Sequence, residues 1–361
     1  MTDFHNSLNH SLRNKLSLIK NSLGVSQLEI GKLKSPVSID FYEKWLANNY
    51  QGSMSYLSAH LPFKKNPHLL ESRLKSVISV AQSYFPAIQP ADIKSPARVA
   101  LYAHNDDYHV WLKEKLVEII NELKLDFPDE TFLPFVDSGP ILERDVAYQN
   151  GLGWFGKNTC LIHPEHGSLF FIAEILTTIE LSSPGESIEP LPDFCGSCQK
   201  CIEVCPTGAL ISPRILKADQ CISYLTIESK TVPPVELRKK MGDWFFGCDL
   251  CQVVCPWNEK VFRKKNIEKT DKISTVDLLS LSPSVREDLI TYFRFLLTAS
   301  HKKIQKFHLG SPLSRAGAKG LKRNALVVIA NKNLTELKMD VLKMDSAELR
   351  ELAEWTLQQL N

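Results

Sequence analysis

Two cysteine runs carry the most specific chemistry in this 361-residue chain. The first reads Cys195-x2-Cys198-x2-Cys201-x3-Cys205-Pro206. The second reads Cys248-x2-Cys251-x3-Cys255-Pro256, with Cys221 upstream. Thiolate is the preferred ligand of iron–sulfur iron. Cysteines at i, i+3 and i+6 can wrap one cubane, while a fourth, followed by proline, turns away to the other cluster. That rule predicts one [4Fe–4S] cluster on Cys195, Cys198, Cys201 and Cys255, and a second on Cys221, Cys248, Cys251 and Cys205. The stretch between Cys221 and Cys248 is far longer than the spacing of about two residues in a plain ferredoxin. An insertion there is tolerable, because loop-closure cost grows slowly with length. Structural zinc and a disulfide scaffold are the alternatives. Zinc would call for self-contained CxxC pairs, which interleaved triplets ending in Cys-Pro do not resemble. Cys160 reads as a small buried side chain rather than a ligand.

A second group of residues lies in two Gly/Asn-rich breaks. Asp137 follows the strand-like run Phe132–Val136 and precedes Ser138-Gly139-Pro140. A carboxyl placed there either caps the turn that follows, a common use of aspartate, or acts as a general acid if an apolar pocket keeps it protonated. Gly151, Gly153 and Gly156 form a glycine-rich run, but no strand–GxGxxG–helix unit surrounds them. The reading is a tight backbone segment rather than a phosphate cradle.

Composition is that of an ordinary globular protein, 43% hydrophobic and 23% charged. No apolar stretch is long enough to span a membrane. The start, Met1-Thr2-Asp3-Phe4-His5, has neither a basic and apolar leader nor a twin arginine, so a cytoplasmic, reducing location is expected. The net charge of +2 is unevenly spread. Residues 1–259 hold 24 Lys/Arg against 30 Asp/Glu, whereas 260–361 hold 19 against 11. A basic segment on an acidic body suits a polyanionic partner, and equally suits a solvated helical face.

The elements that must position these residues are mixed. Helical periodicity covers 11–22, Ser38 to Asn49 and His109 to Leu123. Strand patterns cover Ser76–Ser83, Arg98–Tyr102, Phe132–Val136 and Ser168 to Leu176. Ser182 to Pro192 reads as a linker. From about 270 the chain turns helical, with helix starts expected at Ser284-x-x-Glu287 and Asp345-x-x-Glu348. Between them Ala316–Leu326 enters an apolar helix whose small residues allow close approach, suggesting antiparallel helix pairs.

Joined to the cysteines, several stretches resemble the cobalamin-dependent epoxyqueuosine reductases. They are Gly52-Ser53-Met54-Ser55-Tyr56-Leu57, Asn105-Asp106-Asp107-Tyr108-His109 and Val136-Asp137-Ser138-Gly139-Pro140-Ile141-Leu142-Glu143-Arg144. With them go Gly151-Leu152-Gly153-Trp154-Phe155-Gly156-Lys157-Asn158-Thr159 and Cys221-Ile222-Ser223-Tyr224-Leu225-Thr226-Ile227-Glu228. The resemblance runs from about residue 25 to the C-terminal helices. It implies an α+β multidomain chain: a nitroreductase-like cobalamin-binding domain over 1–185, a two-cluster ferredoxin-like domain over 186–262, and HEAT-like helical repeats over 270–361.

The implied reaction reduces the epoxide of epoxyqueuosine in tRNA to queuosine, taking two electrons and two protons and releasing water. Cob(I)alamin would open the ring, and the clusters would return electrons one at a time from an external low-potential donor. The resemblance makes Asp137 the proton donor. It places His60, Tyr108, His109, Lys157, Asn158, Ser223 and Tyr224 at the corrinoid, and Thr226 beside the gap between cluster and cofactor. No Asp-x-His-x-x-Gly motif is present, which favours base-off cobalamin. Lys302, Lys303, Lys306, Arg315, Lys319, Lys322 and Arg323 are the expected contacts to a tRNA with a GUN anticodon. A monomer is expected. At Lys64 and Lys65 relatives tend to carry arginine, so no bidentate contact is expected there. A reductive dehalogenase would want a twin-arginine leader and has no use for a basic tail. A plain electron relay needs only about 60 residues.

Overall fold

The computed structural model describes residues 2–85, 95–181, 189–264 and 286–360. These fall into two compact units. The first comprises Met1–Asn49, Ser55–Phe85 and Tyr108–Cys198. The second comprises Tyr50–Met54, Pro86–Asp107 and Gln199–Asn361. The cluster segment from Gln199 onward therefore compacts with the C-terminal helices. The expected seams at 185/186 and near 270, and most of the expected linker, lie outside the described residues.

The first unit is built on four antiparallel strands, β1 (Gln27–Lys32), β2 (Ser76–Ser83), β3 (Phe132–Val136) and β4 (Phe170–Thr177), in the order β1-β2-β4-β3. Alternation in β2 sends Ile78 and Val80 to one face and Val77 and Ala81 to the other. On the first face lie α1 (Thr2–Ser22) and α4 (Tyr108–Lys124). Helix α4 buries Leu112, Leu116, Ile119, Ile120 and Leu123, a stripe of helical period. Each such side chain contributes about 2 kcal/mol of burial. The opposite face is covered by α5 (Glu143–Gln149) through Val146 and Ala147, and by the loop at Ile141. Two further helices, α2 (Ile39–Ala47) and α3 (Leu61–Lys65), belong to this unit. Asp145 of α5 fixes the start of α2 by accepting the N–H groups of Val37 and Ser38 at 3.0 and 2.7 Å.

In the second unit the short helices Lys200–Glu203 and Leu250–Val253, which precede the two Cys-Pro pairs, pack on one another. Cys221 is the N-cap residue of α6 (Ile222–Ile227). The expected strand at Arg98–Tyr102 is only Arg98–Val99, paired in parallel with Trp244–Phe246. Its continuation, Leu101–Ala103, is a 3-10 turn whose Leu101 N–H is taken by buried Asp249. The C-terminal helices are α7 (Arg286–Thr298), α8 (His301–Phe307), α9 (Gly317–Asn331), α10 (Lys338–Leu342) and α11 (Arg350–Gln359). Helix α9 is buried over most of its length and touches α7, α8, α11 and Trp244–Phe246.

The helix start expected at Asp345 falls instead at Ser346, before a 3-10 turn, and its side chain makes no cap bond. Glu348 turns away to pair with Lys319 at 3.0 Å, which removes the reach-back a capping box requires. The start expected at Ser284 lies outside the described residues. Among the described residues no helix is long and apolar enough to cross a membrane.

Candidate active site and cluster ligands

Asp137 stands where β3 ends, in a conformation that strains an L-residue. Its φ is +57°, and the Ser138 N–H bonds back to the Val136 carbonyl at 2.6 Å, closing a γ-turn around it. Gly139 follows because the chain folds over Phe135, where a Cβ would lie 2.8 Å from the ring. The turn pushes the Asp137 carboxyl outward, with its side chain 60% exposed and Oδ2 3.2 Å from His109 Nε2. The apolar enclosure expected around Asp137 is therefore not supplied by the surrounding side chains of this unit. His109 stacks on Tyr108, centroids 4.1 Å apart, and Tyr108 stacks on Phe171, also at 4.1 Å. An acid thus sits beside an aromatic wall.

Beneath this turn lies a buried charged set that sequence reasoning missed. Glu143, the first residue of α5, lies within electrostatic reach of Asp137, and its Oε1 is buried with no hydrogen-bond partner among the described residues. Glu174, in the middle of β4, is fully buried, and neither carboxyl oxygen meets a hydrogen-bond partner among the described residues. Lys64 of α3 is buried, donates to the Ile141 carbonyl at 2.8 Å and lies over the Tyr42 ring. Burial pushes both glutamates well above the ordinary carboxylate range; the negative charge of Asp137 pushes both the same way, and that of Glu143 adds to the push on Glu174. Burial likewise pulls the Lys64 ammonium down, against the opposing attraction of Glu143, Asp137 and Glu174. Lys64 and Arg144 oppose the rise at Glu143, and Lys64 opposes it at Glu174. The sequence did carry a signal here: Glu174 is the lone charge in the apolar run Ser168 to Leu176.

Two expected corrinoid contacts have other work. Lys157 donates to the carbonyls of Gly196 and Cys198 at 2.6 and 2.9 Å, tying down the first cysteine loop. Asn158 is buried, and its Oδ1 accepts the Cys160 N–H at 3.2 Å, closing its own turn. The Gly151–Gly156 run is a structural turn: a Cβ on Gly153 would lie 2.4 Å from the Ile162 carbonyl. His60 sits at the junction between the helical turn Tyr56–Ala59 and α3, edge-on to Tyr56.

None of the nine cysteines is in a disulfide, and Cys160 is half-buried. Within the second unit, Cys248 feels the charges of Cys221 and Cys205, and Cys221 that of Cys205. Three of the four thiols assigned to the second cluster thus lie within electrostatic reach of one another, although among the described residues no group of three or more His, Cys, Asp or Glu side chains is gathered closely enough to hold a metal ion. Burial pushes the Cys221 and Cys248 thiols up, so an ionised form needs a metal to hold it. Cysteine thiolate is the donor type that an iron–sulfur cubane takes.

Around Cys221, the Ser223 hydroxyl reaches the Cys248 carbonyl at 3.5 Å. The Tyr224 hydroxyl is bound to Ser53, and the Thr226 hydroxyl accepts the Gly247 N–H at 2.9 Å. Of the expected tRNA contacts, Lys302, Lys303 and Lys306 are exposed on α8. Arg315 is bidentate to Glu228, Lys319 pairs with Glu348, and Lys322 donates to the Leu297 carbonyl. Arg323 is only 2% exposed and holds the carbonyls of Ser229 and Thr231, so it braces the fold and is not a free surface cation.

Two cysteine runs of this spacing define the class, a two-cluster iron–sulfur oxidoreductase. Residues 194–258 match the family model described as a 4Fe-4S double cluster binding domain, and residues 64–138 match the one described as epoxyqueuosine reductase QueG, DUF1730. The chain is 34% identical to the epoxyqueuosine reductase of Escherichia coli K12 over 344 residues, 93% of this chain and 86% of that one. It is 37% identical to that of Cellulophaga algicola over 282 residues, 78% and 86% of the two chains. A crystal structure of epoxyqueuosine reductase with an epoxyqueuosine-modified tRNA-Tyr stem loop aligns at TM-score 0.78 and 27% identity, covering 98% of this chain and 91% of that one. The Bacillus subtilis enzyme, with its catalytic aspartate loop swung out of the active site, aligns at TM-score 0.76, 27% identity and the same coverage. This chain belongs to the epoxyqueuosine reductase family.

Proposed function

We propose that this protein reduces the epoxide of epoxyqueuosine in tRNA to the alkene of queuosine, with Asp137 as proton donor. The observation that carries the reading is the near-full-length structural match to a reductase holding an epoxyqueuosine-modified stem loop. The balance is epoxide plus two electrons plus two protons, giving alkene and water.

Cys195, Cys198, Cys201 and Cys255 hold one [4Fe–4S] cluster, and Cys221, Cys248, Cys251 and Cys205 the other. The open aromatic stack of Phe171, Tyr108 and His109 fits a large flat ligand beside Asp137. Cobalamin, when bound and reduced, supplies the two-electron chemistry at the epoxide carbon. His109 orients the Asp137 carboxyl, and a ligand seated over the wall would exclude the water that now reaches it. Exposed Lys302, Lys303 and Lys306 contact tRNA phosphates, on helices that form HEAT-like pairs. The first unit is nitroreductase-like, and the protein acts in the cytoplasm as a monomer supplied by an external low-potential donor.

The test incubates the protein with cobalamin, a one-electron reductant and tRNA carrying epoxyqueuosine. Loss of one oxygen from the modified nucleoside, read by mass spectrometry, is the expected result. An unchanged nucleoside with both clusters intact overturns the reading.

A further inference from the structure

We propose that the recess at the start of α9 binds a free phosphate-class oxyanion, held between the first turn of that helix and the buried guanidinium of Arg323. The site shares no residue with Asp137 or with the cysteines, so it stands apart from the epoxide chemistry.

The recess measures about 540 Å³ and lies within the second unit. Its walls are the first turn of α9, Lys230 after α6, and His301 on α8. Helix α9 is 15 residues long, yet it starts uncapped. Its N-cap residue is Ala316, no side chain bonds to the first turn, and that turn carries no acid. The Gly317 N–H goes to the Ser314 carbonyl. The N–H groups of Ala318 and Lys319 precede the first intrahelical bond. Such a start carries about half a positive charge, which an acidic side chain or a bound anion ordinarily answers. Here the first turn holds Lys319 instead.

Arg323, one turn further on, supplies the second observation. It is 2% exposed. Its Nε bonds the Asn324 side chain and its Nη1 the carbonyls of Ser229 and Thr231. Nη2 is buried and meets no partner among the described residues, although Arg323 lines the recess. Burial lowers its pKa only to about 10, so the group is charged at neutral pH. A buried charged donor left unmet is unfavourable, and a phosphate oxygen suits the guanidinium fork. Gly320 keeps the approach open. A Cβ there would lie 3.8 Å from Nη2 and 3.1 Å from the Ala316 Cβ. Lys230, Lys319 and Arg323 face one acid, Glu348, and Lys319 already holds its carboxylate at 3.0 Å. Because Arg323 forms the floor rather than the rim, the recess favours a small free anion. A phosphate within a strand has a sugar on each side.

The experiment uses the cluster-loaded full chain, with inorganic phosphate as probe and sodium chloride at equal ionic strength as control. Calorimetry should show saturable phosphate binding, and phosphate but not chloride should slow amide hydrogen exchange over residues 317–320. Gly320→Ala favours the helix while covering Nη2, so phosphate affinity falls about tenfold or more with the urea midpoint kept. Lys230→Gln, at an exposed position, weakens phosphate about threefold, and Glu348→Gln tightens it by about the same factor. Exchange that responds equally to phosphate and chloride overturns the site, as does parental affinity in both Gly320→Ala and Lys230→Gln. A saturating unmodified tRNA stem loop should leave phosphate bound. Displacement by the stem loop would make the ligand a strand phosphate and overturn the free-anion assignment.

Discussion

The Tyr224 hydroxyl accepts the Ser53 N–H at 2.8 Å and lies 2.7 Å from Ser53 Oγ, while its ring lies against Gly52. Two stretches separated by 171 residues thus meet at one point. Gly52 has φ +61°, and a Cβ there would lie 2.7 Å from the phenol carbon and oxygen. Gly52→Ala pays twice, in backbone strain and in displacing Tyr224. A stability loss of about 2 kcal/mol or more is expected from urea unfolding. Tyr224→Phe removes only the hydroxyl and costs about 1 kcal/mol. An alanine variant as stable as the phenylalanine one would contradict this packing.

Asp137→Asn separates chemistry from geometry. Asparagine tolerates positive φ nearly as well as aspartate does, so the γ-turn survives the change. What disappears is the transferable proton, and a general acid contributes on the order of a hundredfold or more. Turnover of modified tRNA should fall by at least about that factor, with cluster absorbance and tRNA affinity unchanged. Near-parental turnover would remove Asp137 from the mechanism.

The limits of legibility in the sequence follow from range. The cysteine runs are local patterns, and their chemistry is visible from spacing alone. So is β2, whose two-faced alternation matches the observed Ser76–Ser83 strand. Asp137 is visible as a candidate because strand, aspartate and Gly-Pro follow one another. Its charged neighbours are not: Lys64, Glu143 and Glu174 are brought together by a sheet face and a helix start distant in sequence. Arg323 misleads for the same reason. A basic side chain in a sequence looks like a surface cation until the carbonyls it serves, at Ser229 and Thr231, are folded against it.

That correction divides the basic segment into two testable groups. Lys302, Lys303 and Lys306 lie exposed on α8, and replacing all three with glutamine should weaken tRNA binding. Removing one Lys–phosphate interaction lowers the log–log salt slope by about 0.7–0.9, so the triple variant should flatten it by about 2. Arg323→Met should leave that slope unchanged and lower stability instead, by about 2–4 kcal/mol, because the Ser229 and Thr231 carbonyls lose their buried donor. Filter binding at several salt concentrations, paired with urea unfolding, checks both. A reversed pattern would return Arg323 to the tRNA surface.

Acid sensitivity follows from buried histidines, and His308 gives the clearest sign. It is 6% exposed, and burial pulls its pKa down from 6.5 to about 4. The Tyr292 hydroxyl lies 3.1 Å from His308 Nε2. Burial raises that phenol, so it keeps its proton and can donate it to a neutral ring. An unfolded chain protonates His308 near pH 6.5, while the folded chain resists until about pH 4. A depressed folded pKa gives stability that is present above the unfolded value and lost as pH falls, so this contribution drains away between those two values. Its ceiling is about 3 kcal/mol. His104 and His163, each pulled down to about 4, act in the same direction. His308→Gln cannot be protonated yet can still accept the Tyr292 hydroxyl. Its urea midpoint should therefore fall less than the parent's over this window, even if it starts lower at neutral pH. Equal acid slopes in the two proteins would mean that His308 already protonates in the folded state.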